Sequence, residues 1–137
     1  MNIPMAFLAD EANISQEGKL NVLGIFDRLV AEEFPVSHPR MVFAFRVTAE
    51  FADGGRTFPV QIRLVDDDGQ AMFEASGEIN PPLVPPGEFS TANQVFTLVG
   101  MTFPRAGQYR FEVRIGAQEP HVTPLMVGTV PRDSDLN

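Results

Sequence analysis

Asp66, Asp67 and Asp68, followed by Gly69, form the densest group of potential metal ligands in the chain. Oxygen-rich loops suit calcium, which takes roughly six to eight carboxylate and carbonyl oxygens. If every connection reverses the chain, Glu32 and Glu33 fall at the same end of the fold as the three aspartates, and Asp53 falls at the opposite end. Arg105, His38 and Arg40 also fall at the end of the three aspartates, where they would oppose a bound cation. The Asp-x-Asp-x-Asp-Gly spacing of a helix-flanked calcium loop is absent. Asp-Gly is equally what a tight hairpin turn requires. A solvated turn is the expected role, with a C2-like, cation-dependent binding module as the alternative, and no metal ligand is assigned.

His38 and His121 are the only histidines, and each stands beside a proline. A zinc site would need further ligands at short range, and the chain has no cysteine. None of Ser15, Ser37, Ser76, Ser90 and Ser134 lies in a Gly-x-Ser-x-Gly elbow. Asp53-Gly54-Gly55-Arg56 falls between two extended segments, not before a helix, so it is no phosphate loop. Glu74 and Glu78 share an outward strand face and read as solubilising charges. The sequence therefore supplies no catalytic and no cofactor-binding residue, and the chain reads as a non-enzyme, with a hydrolase a distant third possibility.

Composition narrows the partners. A net charge of −8 opposes binding to a phosphate backbone, which needs a basic footprint. Nine of the ten basic residues are arginine and only Lys19 is lysine. No apolar run approaches the roughly 18 residues of a membrane span. Met1–Asp10 lacks the basic start of a secretion signal, and Pro4 interrupts its apolar run, so the expected location is the cytoplasm. Length and balanced composition fit one domain over 1–130, with a polar tail over 131–137.

The elements that must position these residues alternate with a period of two. Tyr109, Phe111, Val113 and Ile115 point one way, and Gln108, Arg110, Glu112 and Arg114 the other. Phe43 to Phe51, Phe58 to Leu64 and Phe73 to Ile79 repeat the pattern. Asp53-Gly54-Gly55 and Asp68-Gly69 read as hairpin turns. Ile3–Leu8 reads as a short first strand, residues 10–18 as a polar connection and 32–39 as a loop. Residues 20–30 also fit a helical period, but Gly24, Val22 and Ile25 favour one continuous strand. Asn80–Ala92 holds Pro81, Pro82, Pro85 and Pro86 and reads as the long link between two sheets. Strands over 95–103 and 120–127 complete the set. About eight short strands with almost no helical signal predict an all-β fold, a two-sheet antiparallel β-sandwich of immunoglobulin-like Greek-key type.

Gly107-Gln108-Tyr109 resembles the tyrosine corner of such sandwiches, in which a tyrosine entering a strand turns its hydroxyl back onto upstream backbone. Taken with Gly24-Ile25-Phe26-Asp27 and Phe34-Pro35, the strand order resembles a family of short, uncharacterised bacterial proteins of immunoglobulin-like type. The resemblance covers most of the chain. It implies a fold and carries no activity or functional residue with it.

Two features look least like scaffold. Pro81–Pro86 would expose Leu83 and Val84 on a stiff loop, suited equally to a partner and to packing over the end of the core. Two segments are apolar on both faces: Leu20, Val22 and Phe26 against Leu23, Ile25 and Leu29, and Val95, Val99, Met101 and Phe103 against Phe96 and Leu98. A sandwich strand should be wet on one face. Either something covers the second face, a second copy of the chain being one such cover, or bulges at Gly24 and Gly100 switch the parity. The resulting expectation is a non-catalytic protein-binding or assembly module that self-associates. Leu23, Ile25, Leu29, Leu83 and Val84 are its contact candidates, Tyr109 and Gly107 its structural markers. No cofactor, nucleic acid or membrane span is expected.

Overall fold

Alternating large apolar side chains make extended chain the most favourable way to bury one face, and most of the described residues are strand. The computed structural model describes residues 1–130; the expected tail over 131–137 lies outside them. The strands are β1 (Asn2–Ile14), β2 (Leu20–Phe26), β3 (Arg28–Ala31), β4 (Val36–Glu50), β5 (Phe58–Val65), β6 (Ala71–Ile79), β7 (Phe89–Phe103), β8 (Gly107–Ile115) and β9 (His121–Thr129), with a single 3-10 turn at Phe51–Asp53. They form a four-stranded sheet, β2-β1-β4-β7, and a five-stranded sheet, β3-β9-β8-β5-β6. The orders β1-β4-β7 and β9-β8-β5 are those of an immunoglobulin-like sandwich, with β8 as the strand that carries the tyrosine corner.

The core between the sheets is built by the alternating rows. Met41, Phe43, Phe45 and Val47 of β4 pack with Ile62 and Leu64 of β5, Phe111 and Val113 of β8 and Leu125 of β9. Phe43 stacks on Phe111 with ring centroids 4.8 Å apart. Each such side chain contributes about 1.5–3 kcal/mol on burial, against about 0–1 kcal/mol for an exposed ion pair. The fold therefore rests on these rows.

Several expectations are corrected. The segment over 20–30 is not one strand: it changes sheet at Asp27, and β3 runs parallel to β9, so the count is nine and the second sheet is mixed. The carbonyl of Asp27 accepts from the amide of Met126 at the crossing. Asp53-Gly54-Gly55 is not a hairpin turn, because β4 and β5 lie in different sheets. It is a sheet-to-sheet crossing braced by the Pro-rich link, with the Gly55 amide donating to the Pro81 carbonyl at 3.0 Å. A Cβ on Gly54 would meet Leu83 Cα at 2.8 Å, so that approach requires glycine. The Pro-rich segment does carry the chain between sheets, from β6 to β7, but it is shorter than expected, since β7 begins at Phe89. Pairing likewise claims Ile14 and Val36, which the sequence reading left in connections.

The two-faced strands have two explanations. In β7, Gly100 has φ 66° and stands opposite Pro39, while the register continues on both sides, Arg40 with Val99 and His38 with Met101. Phe96, Leu98, Met101 and Phe103 consequently all pack in the main core. Parity switches there, the second of the two alternatives the sequence leaves open, but in register and without the extra residue of a bulge.

In β2, Gly24 has φ 73° and stands opposite Asp10, again without loss of register. Beyond it the β1–β2 hairpin folds over the outside of the first sheet. Ala12, Leu20 and Val22 pack on Ala9, Val42, Ala44 and Val95, on the side of β4 away from the core. The carbonyl of Gly18, at the hairpin tip, accepts from Asn93 Nδ2 of β7 at 2.9 Å. Glu11 and Arg40 form an ion pair that pins the hairpin, and the guanidinium hydrogen bond holds the Glu11 carboxyl below its ordinary range. The Leu20 and Val22 row thus has a cover inside the chain, whereas Leu23 and Ile25 of the opposite row stay exposed.

Candidate functional site

The three aspartates sit where the sequence places them, on the β5–β6 hairpin turn, but they are engaged. Asp66 is buried, and its Oδ1 accepts from the amides of Asp68 and Gln70 at 3.0 and 2.9 Å. Arg105, on the β7–β8 turn, brings Nη2 to 3.5, 3.1 and 3.1 Å from the carboxylates of Asp66, Asp67 and Asp68. The hydrogen bond to Asp67 raises the Arg105 pKa further above its already high ordinary value. A guanidinium stands where a metal ion would have to sit. Among the described residues this is the only cluster with metal-binding geometry, and its arrangement is that of a clamp between two turns.

The same arginine completes the tyrosine corner. Tyr109 is 3% exposed, and its hydroxyl donates to the Arg105 carbonyl at 2.6 Å. Its ring meets Phe103 edge-on at 5.1 Å. Gly107 opens β8 opposite Val127, and an added Cβ there would touch the Asp67 carboxylate at 3.4 Å. One residue thus ties the turn to the core through its carbonyl and to the acidic hairpin through its guanidinium.

The histidines are not brought together: His38 is on β4 beside Phe26, and His121 opens β9 in the other sheet. No helix of the described residues is long and apolar enough to cross a membrane.

The contact candidates scatter. Leu23 and Ile25 are exposed on β2, an outer strand of the first sheet. Leu29 lies in the second sheet and packs against the main core, so it does not share a face with Leu23. Leu83 is 75% exposed where the Pro-rich link lies on Gly54 and Gly55, and Val84 is half-buried. No single patch collects all five.

What the sequence reading missed is that the strand expected over 95–103 begins at Phe89 and forms an edge, as β7. It is the outermost strand of the first sheet and, among the described residues, pairs with β4 alone. It runs for 15 residues, Phe89–Phe103, without one charged residue and without proline. Outer strands are ordinarily blunted by lysine, proline, inward charge or shortness, because their free N–H and C=O groups template further pairing. The outer strand of the second sheet, β6, carries Glu74 and Glu78, and β3 is only four residues long. Phe89 and Val99 stand 67% and 76% exposed on the outward face of β7. Between the β6 and β7 edges a cleft opens onto Phe45, Val60, Ile62, Ile79 and Phe96 of the core. The signal was present as an uncharged run over 89–103, but the four prolines before it made the first half of that run look like linker.

No curated protein matches the chain. The expected kinship with an uncharacterised family is met at that level: over residues 4–128 the chain matches a family of unknown function, DUF6941, and it belongs to that family.

Proposed function

We propose that this protein is a non-catalytic protein-binding or assembly module that works by strand addition along the free edge of β7. An extended partner strand placed there satisfies the outward N–H and C=O groups, while the side chains flanking the edge set specificity. The observation that carries the reading is the length of that edge combined with its lack of charge or proline, on a chain of net charge −8. The Arg105 clamp on the three aspartates weighs against the cation-dependent alternative.

Thr91 and Thr97 are exposed on the outward face of β7, so glutamates there would leave the core untouched. Tagged protein recovered from its own cells should carry bound protein, and Thr91→Glu/Thr97→Glu should lose it while keeping the wild-type melting temperature within a few degrees. Retention of the same bound proteins by the folded double variant would overturn the reading.

A further inference from the structure

Resting on the strand-addition reading, we infer that the partner strand is β7 of a second copy, paired antiparallel about a two-fold axis at Gln94. The straight part of β7 runs from its start at Phe89 to Val99, where Gly100 turns the backbone left-handed and the inward face switches. Only one antiparallel register pairs this whole segment with itself. It sets Phe89 opposite Val99 of the second copy, Thr91 opposite Thr97, and Asn93 opposite Val95, with Gln94 opposite its own equivalent.

Paired residues in this register fall on the same face in both copies. On the outward face, the two large exposed apolar side chains of the segment, Phe89 and Val99, cover one another at each end of the ladder. Aromatic with β-branched and threonine with threonine are favourable cross-strand pairs. On the inward face, Ala92 meets Phe96 and Ser90 meets Leu98, small against large.

Charge points the same way. The chain is strongly acidic, so most surfaces brought against themselves would set like charges together. The β7 ladder sets none, and residual repulsion between copies is screened beyond about 8 Å at physiological salt. A two-fold axis perpendicular to the sheet closes the assembly, and it buries both free edges at once. The product is a continuous sheet, β2-β1-β4-β7 meeting β7-β4-β1-β2 of the second copy.

The lack of native cysteine makes the register directly testable. Directly opposed residues in an antiparallel pair have Cα atoms about 4.5–5.5 Å apart, within the span of a disulfide. Thr91→Cys mixed with Thr97→Cys should cross-link under mild oxidation into a heterodimer. Each variant alone should not, since like positions would be about 20 Å apart along the ladder. Sedimentation of the wild type at micromolar concentration should show a dimer, and Thr91→Glu/Thr97→Glu, which sets Glu against Glu twice, should sediment as a folded monomer.

A wild-type monomer at high concentration would overturn the inference. If the edge-dependent capture described above persisted in that case, strand addition would stand with a different partner. A dimer indifferent to the two glutamates, or cross-linking of Thr97→Cys with itself, would overturn the inference by placing the contact elsewhere or in another register.

Discussion

Arg105 and Tyr109 show how much one turn can hold. The Tyr109 hydroxyl, on a buried ring, is the donor for the half-buried Arg105 carbonyl, and the Arg105 side chain at the same time bridges two turns. Removing the hydroxyl leaves that carbonyl without its partner while the ring still fills its place against Phe103. Tyr109→Phe is therefore expected to cost about 1–3 kcal/mol. The measurement is urea unfolding, with a lowered midpoint and an unchanged m-value. A change near zero would mean that the corner contributes packing alone. The aspartates also divide at this scale. Asp67 and Asp68 are surface residues, as the composition of the turn implies, whereas Asp66 is an internal cap for two amides. Three identical neighbours in sequence differ in role because only one side chain points under the turn.

At the scale of elements, Gly24 and Gly100, both in left-handed conformation, decide what the outer face of the first sheet looks like. Gly24 lets the β1–β2 hairpin bend across β4, and a Cβ there would collide with the Asp10 carboxylate. Gly24→Ala combines that collision with a backbone conformation costing of order 1–3 kcal/mol for a residue with a side chain. Its expected effect is local first. Amides of the hairpin should lose hydrogen-exchange protection before those of β8, because the hairpin is held by a small apolar cluster, the Gly18–Asn93 bond and the Glu11–Arg40 pair. Uniform loss of protection across both sheets would show that the hairpin and the core open as one unit. Gly100 performs a different task with the same conformation, keeping Phe96, Leu98, Met101 and Phe103 in one core.

For the whole molecule, the sandwich solves three of its four edges and leaves one. Shortness handles β3 and charge handles β6, and β2 is seven residues long and bent at Gly24. The long β7 edge has none of these devices, and pairing with a second copy supplies one. Association of native chains stabilises the fold by mass action. The melting temperature should therefore rise with protein concentration in the wild type and be independent of it in Thr91→Glu/Thr97→Glu. A wild-type melting temperature constant over a hundredfold range of concentration would speak against a dimer populated at those concentrations.

Strand identity, the two-sheet class and the tyrosine corner were legible in the linear chain, because alternation and turn chemistry act within a few residues. Phe43 to Val47 and Tyr109 to Ile115 needed nothing else. The sequence could not distinguish a hairpin turn from a sheet-to-sheet crossing at Asp53-Gly54-Gly55, since both accept the same residues and differ only in where the next strand finds its partner. It left open which of the two apolar rows of β2 the chain itself would cover, and the bend at Gly24 brings Leu20 and Val22 onto Val42 and Ala44 and leaves Leu23 and Ile25 exposed. It did not reveal that the uncharged run over 89–103 forms a free edge. Being an edge belongs to the order of strands in space, and that order is set by non-local packing of the two sheets.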